Sequence, residues 1–192
     1  MKKIILASAS PQRRKLMKIL GLPFLVVPSR AEEITTITKD CAHLVKTNAL
    51  LKAQEVALRL KRGIIIGSDT VVLSHKGRLI LKPRDMKEAK KNLKELMFKP
   101  HWVYSGVAVI DAETGRKEVD FEKTKVFMTN LSDKAIDRYH KLVSPLDKAG
   151  GFDIEGKGAL FIPRIEGCYF NVVGLPLAKL AEMLKKFGVD AL

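Results

Sequence analysis

The chain is poor in cysteine: Cys41 and Cys168 are the only two in 192 residues. Two thiols build neither a disulfide framework nor a cysteine metal cluster, and they suit a reducing compartment, so a cytoplasmic protein is expected. Histidine is scarce as well, and His43, His75, His101 and His140 are scattered without zinc spacing. No apolar run approaches the ~18 residues needed to cross a bilayer. The start, Met1-Lys2-Lys3-Ile4-Ile5-Leu6-Ala7, is basic, but its apolar run stops after four residues. A signal peptide needs about 7–15. The patterns GxxxxGK[ST], GxGxxG and GxSxG are all missing, which removes the P-loop, Rossmann and serine-hydrolase readings. Internal repeats, low-complexity stretches and Pro/Gly/Ser-rich linkers are missing too. A chain of this length that is 46% hydrophobic is therefore one domain over residues 1–192, or two lobes sharing a sheet.

Acidic residues are outnumbered, 21 Asp+Glu against 35 Lys+Arg, for a formal net charge of +14. That excess favours anionic partners, either nucleic acid or a small polyphosphate. The lysines are spread along helices, with no basic tail and no alternation of basic and aromatic residues of the single-strand-binding kind. A basic nucleic-acid-binding module stands as an alternative of another class, but without a recognition motif.

What the chain does contain centres on Ile64-Ile65-Ile66-Gly67-Ser68-Asp69-Thr70-Val71-Val72. β-Branched residues on both sides read as buried strand around a Gly-Ser-Asp-Thr interruption. A carboxylate there is costly to bury without a cation, a metal or hydrogen-bond donors. Asp69 is either a turn residue capped on its own backbone or a catalytic carboxylate at a strand end.

Earlier in the chain, a short strand at Lys3–Ala7 runs into Ser8-Ala9-Ser10-Pro11-Gln12-Arg13-Arg14 and then a helix. Ser10 suits the N-cap and Pro11 the first helical position. Strand, small-residue loop and helix start form a recurring phosphate site. Arg13 adds donors suited to phosphate at a helix end where the dipole disfavours a cation, although a surface arginine beside a cap would look the same. Phe24–Val27 reads as a second strand. Glu32 and Glu33 follow as an acidic pair, solvated loop or metal ligand, the loop being the plainer reading. Asp40 caps a helix to about Leu60, with Val45, Ala49, Val56 and Leu60 on its apolar face. Lys52 falls within that stripe, either snorkelling outward or reaching toward an anion.

A hairpin at Ser74–Gly77 leads to Lys82-Pro83-Arg84-Asp85, with Asp85 capping another helix. Lys82 can lie near Asp69 or can be an ordinary surface lysine. Long strands follow at His101–Ile110 and Val119–Thr129, then a helix from Ser132. The dense stretch Asp147–Gly156, rich in charge and glycine, reads as a functional loop.

Taken together, Leu6–Arg13, Gly67–Val72, Lys82–Asp85, Asp147–Gly151 and Asn171–Leu177 resemble the Maf family of nucleoside triphosphate pyrophosphatases, nearly end to end. The resemblance implies an α/β fold with a mixed central β-sheet flanked by helices, two lobes around a cleft, similar to the inosine triphosphate pyrophosphatases. It implies a cytoplasmic enzyme, often dimeric, that cuts a nucleoside triphosphate to monophosphate and pyrophosphate with Mg²⁺ or Mn²⁺. On that pattern Asp69 is the proton acceptor or metal-linked carboxylate, with Glu33 helping to hold the metal. Lys52 and Lys82 join the catalytic group, and Ser8, Ser10, Arg13 and Lys148 take the phosphates. The substrate markers conflict. Gln12 stands where the dTTP/UTP subgroup has arginine, and Glu155 where it has glutamine, while Thr70 and the Asp147–Gly150 loop match that subgroup. A carboxylate at 155 suits the N1–H and amino group of guanine better than a uracil edge. Pyrimidine triphosphates are the expected substrates, with 7-methyl-GTP the alternative. A catalytically dead nucleotide scaffold is disfavoured by the intact carboxylate and lysines.

Overall fold

In the computed structural model, which describes residues 2–192, Ile4–Leu6 (β1), Phe24–Val26 (β2) and Ile64–Leu73 (β3) are the first strands. Leu79–Ile80 (β4), His101–Asp111 (β5), Lys117–Phe127 (β6) and Arg164–Glu166 (β7) complete one sheet, in the order β2-β1-β3-β5-β6-β7 with β4 on β3. β1 pairs in parallel with β2 and β3, whereas β4 and β7 join antiparallel, so the sheet is mixed. The helices are Pro11–Ile19 (α1), Cys41–Leu60 (α2), Met86–Phe98 (α3), Asp133–Leu142 (α4), Tyr169–Val173 (α5) and Leu177–Lys185 (α6). The α/β reading with a mixed central sheet holds. Among the described residues no helix is long and apolar enough to cross a membrane.

Helix starts follow local chemistry. Ser10, Asp40, Asp85 and Ser132 each accept, through the side chain, the backbone N–H three residues on. The predicted break at Gly67–Thr70 is not there: β3 runs unbroken from Ile64 to Leu73. The turn-cap reading of Asp69 is thereby overturned. Its backbone is extended, and its side chain finds partners elsewhere.

The chain forms two compact units. One comprises the residues up to Asp69 with Ser105–Glu122 and Gly174–Leu192, the other Thr70–Tyr104 with Lys123–Val173. In the first, Ile5, Ala7, Ala49, Ala53, Val56, Ile65, Ala108 and Ile110 pack as one apolar cluster between α2 and the strands. Two glycines set how closely α2 lies on the strands. A Cβ at Gly67 would meet the Ala49 carbonyl oxygen at 2.2 Å, and one at Gly106 the Val45 carbonyl oxygen at 2.1 Å. In the second unit, Val72, Ile80, Leu93, Leu96, Val103, Val126, Ile136, Tyr139 and Phe161 belong to a separate core.

Candidate active site

Successive residues of a strand face opposite ways, so Ile65, Gly67 and Asp69 share one face of β3. Ile65 packs in the α2 cluster, Gly67 receives the α2 backbone at Ala49 and Ala53, and Asp69 meets the adjacent helix residues Asn48 and Lys52. There Lys52 Nζ donates to Asp69 Oδ1 at 2.7 Å, and Asn48 Nδ2 donates to Oδ2 at 3.0 Å. Asn48 and Lys52 stand four residues apart on one side of α2, so each carboxylate oxygen has its own donor. Asp69 is 4% exposed, Asn48 2% and Lys52 8%. Lys52 therefore turns inward rather than snorkelling.

Burial alone raises the Asp69 carboxyl, but the charge and hydrogen bond of Lys52, the charge of Arg13 and the bond from Asn48 outweigh it. The net shift is downward, and Asp69 is ionised at neutral pH.

Glu33 comes from the irregular segment 27–40, and its Oε1 lies 2.9 Å from the same Lys52 ammonium. Glu33 is thus an exposed residue of an irregular loop, as the plainer reading has it, with its carboxylate paired to Lys52. The segment is laid along α2 by a row of polar residues. Arg59 donates to the Pro28 carbonyl, Glu55 accepts from the Arg30 N–H, and Asn48 both accepts from and donates to the backbone of Ile34.

On the other side of the Ser68–Asp69 peptide, Arg13 Nη1 donates to the Ser68 carbonyl at 2.9 Å and to Ser8 Oγ at 3.3 Å. Its Nε donates to the Gly174 carbonyl, which also accepts from Ser68 Oγ. Burial draws the guanidinium below the usual arginine value, against Asp69 and Glu33. It remains a cation. Ser10 is the N-cap of α1, and its hydroxyl donates to Gln12 Oε1.

The structure thus brings together Ser8, Ser10, Gln12, Arg13, Glu33, Lys52 and Asp69 in the first unit. The other predicted site residues belong to the second. Thr70 is half-buried and follows Asp69 on the opposite face of β3. Lys82 is exposed just after β4, and the Lys148 ammonium is held by Asp147 and the Ser144 carbonyl. Glu155 is exposed, and with burial first and Asp153 last it raises the Tyr169 hydroxyl. Reading the sequence missed Asn48, Gly106 and the Gly174 carbonyl. For Asn48 a signal existed: an asparagine one turn before Lys52 in a stripe that is otherwise apolar.

Among the described residues no three His, Cys, Asp or Glu side chains gather as a metal cage. Glu33 and Asp69, however, direct two hard oxygens at one point, the position of the Lys52 ammonium. Two carboxylates suit a divalent cation that completes its shell with phosphate oxygens and water, and such an ion would take the place between them that the Lys52 ammonium holds.

Comparison with known proteins identifies the family. A family model described as Maf-like protein matches residues 3–187. A dTTP/UTP pyrophosphatase of Pelotomaculum thermopropionicum is 46% identical over 192 residues, covering 100% of both chains. One of Alkaliphilus oremlandii is 46% identical over 194 residues, again covering 100% of both. Among solved structures, the Staphylococcus aureus Ham1 protein aligns with a TM-score of 0.56 at 16% identity, over 97% of this chain and 100% of that one. That similarity shows a shared fold. With a family match over nearly all of its length, the chain belongs to the Maf-like protein family.

Proposed function

We propose that this chain hydrolyses nucleoside triphosphates, dTTP and UTP foremost, to the monophosphate and pyrophosphate. The observation that carries the reading is Asp69: a buried, ionised carboxylate held by Lys52 and Asn48, in a chain 46% identical end to end to a dTTP/UTP pyrophosphatase. Water attacks the α-phosphorus, the α–β phosphoanhydride bond breaks, and pyrophosphate leaves. The water must lose a proton as its oxygen bonds to phosphorus. Each Asp69 oxygen accepts one hydrogen bond from the protein and keeps a lone pair to orient the water and take that proton. Because Lys52 and Arg13 hold its pKa low, Asp69 is always in the accepting form near neutrality. The ammonium of Lys52 and the guanidinium of Arg13 would offset phosphate charge; the Ser8 hydroxyl would donate to a phosphate oxygen, and that of Ser10 would do so on releasing Gln12 Oε1. Glu33 and Asp69 would hold Mg²⁺ or Mn²⁺, which supplies further charge neutralisation on the phosphates when bound.

The proposal includes a cytoplasmic setting, supported by two free thiols, and a homodimer, as the family resemblance implies. The +14 charge suits a polyphosphate substrate and needs no nucleic acid.

The test is a pyrophosphate-release assay with Mg²⁺ and with Mn²⁺ over UTP, dTTP, CTP, GTP and 7-methyl-GTP, with products identified. Pyrophosphate with UMP or dTMP is the expected result. Turnover of 7-methyl-GTP alone would move the specificity to the alternative that the exposed carboxylate of Glu155 favours. Orthophosphate release, or no turnover of any substrate, would overturn the reaction itself.

A further inference from the structure

An asparagine in the middle of a buried helix face is costly, both as a helix former and as a polar group out of water. Asn48 is 2% exposed, and its carboxamide is fully used. Oδ1 accepts the Ile34 N–H at 2.8 Å, Nδ2 donates to the Ile34 carbonyl at 2.9 Å, and Nδ2 also donates to Asp69 Oδ2 at 3.0 Å. The two-point pairing with one residue's backbone fixes which end of the amide is oxygen, because the Ile34 N–H must meet an acceptor. The second N–H of Nδ2 is thereby forced toward Asp69. Ile34 immediately follows Glu33, so the same amide anchors the backbone from which the second carboxylate projects.

We infer that Asn48 is the positioning residue of the two-carboxylate site: one side chain on α2 sets Asp69 directly and Glu33 through the Ile34 peptide, so that both face one cation. The inference rests on the proposed function for what the site does, but not for the coupling itself. Other side chains fail on chemistry. Aspartate has the acceptor and no donors, leucine has the size and neither, and glutamine is one methylene too long for the same seat. Asn48 holds the Asp69 carboxylate and the Ile34 backbone, and its effect on the reaction passes through the residues it holds.

Three measurements test this. Amide hydrogen exchange on the wild-type protein should show Ile34 protected within an otherwise irregular segment. Asn48→Leu should lose that protection, whereas Asn48→Asp should keep it through the retained acceptor. Mn²⁺ binding to the nucleotide-free protein, followed by electron paramagnetic resonance, should weaken about 10–100-fold in Asn48→Leu, as when an outer partner of a metal ligand is removed. For the substrate the wild type turns over, kcat should fall more than KM rises in both variants. A folded Asn48→Leu protein with wild-type Mn²⁺ affinity and kcat would overturn the inference. An unprotected Ile34 amide in the wild type would do so without any variant, which covers the case of variants that do not fold. A wild type that binds Mn²⁺ but cleaves no nucleotide would sink the functional reading alone, since exchange and Mn²⁺ affinity judge Asn48 independently.

Discussion

Burying Asp69 raises the free energy of its ionised form, and the groups around it reverse that penalty. Lys52 contributes most of the reversal, Arg13 acts through its charge, and Asn48 donates to the remaining oxygen. Replacing Asp69 with asparagine keeps the shape but removes the charge and turns one oxygen into a donor. That donor would face either the Lys52 ammonium or the Asn48 N–H, both donors themselves. Proton acceptance is lost outright. Asp69→Asn should therefore lower kcat by about 10²–10⁴-fold, the usual worth of a general base. Circular dichroism should show an unchanged fold. An Asp69→Asn protein with full turnover would remove this carboxylate from the chemistry.

The carboxylate is where it is because α2 can lie almost on the backbone of β3 and β5. Gly67 and Gly106 are the two seats, and at each a methyl group would stand less than 2.5 Å from a helix carbonyl oxygen. Backbone cannot yield as a side-chain tip does, so Gly67→Ala must lift the helix. It should destabilise by about 1–3 kcal/mol or more, the cost of overpacking a dense interior, read as a lower urea midpoint with unchanged slope. It should also cut turnover, because Lys52 and Asn48 ride on the lifted segment. An alanine that leaves the urea midpoint unmoved would mean the helix is not seated there. The same contact explains what sequence could and could not reveal. The caps at Ser10, Asp40, Asp85 and Ser132 were legible because each is settled within three residues by a side-chain oxygen and an N–H. The unbroken course of β3 through Gly-Ser-Asp-Thr was not, because Ser68 and Asp69 are satisfied by α1, α2 and Gly174, far off in sequence. The short β7 and α5 escaped for the same reason: β7 exists by its register with β6, and Cys168, just before α5, is tied to Thr124. Asp69, Lys52, Glu33 and Arg13 stood out in the sequence with alternatives open, the resemblance to a known family assigned them roles, and Asn48 emerged only once Ile34 and Asp69 were seen on either side of it.

Over the whole molecule, the response to acid separates into two windows because buried groups of different kinds titrate there. His101, on β5, is 0% exposed; its Nδ1 meets the Leu96 carbonyl and its ring packs edge-on to Phe152. Burial lowers its pKa from 6.5 to about 4, against the weaker opposite pull of Leu96. Between those values the unfolded chain takes up a proton that the folded ring refuses. Stability from this group is complete above pH 6.5 and falls as pH drops toward 4, by at most ~1.4 kcal/mol per pH unit and about 3 kcal/mol in all. His140, also lowered mainly by burial, acts with the same sign. The shifted carboxylates, Asp69 among them, lie below their ordinary values of 3.8 for Asp and 4.5 for Glu, so their share is lost only below those values. Urea unfolding between pH 7 and pH 5 should thus show a declining midpoint that carboxylates do not cause. In His101→Phe, which keeps a ring beside Phe152 but cannot take a proton, the pH slope in that range should shrink, whatever the variant's absolute stability. An undiminished slope would place the acid sensitivity elsewhere, and a slope removed entirely would mean that His140 contributes nothing.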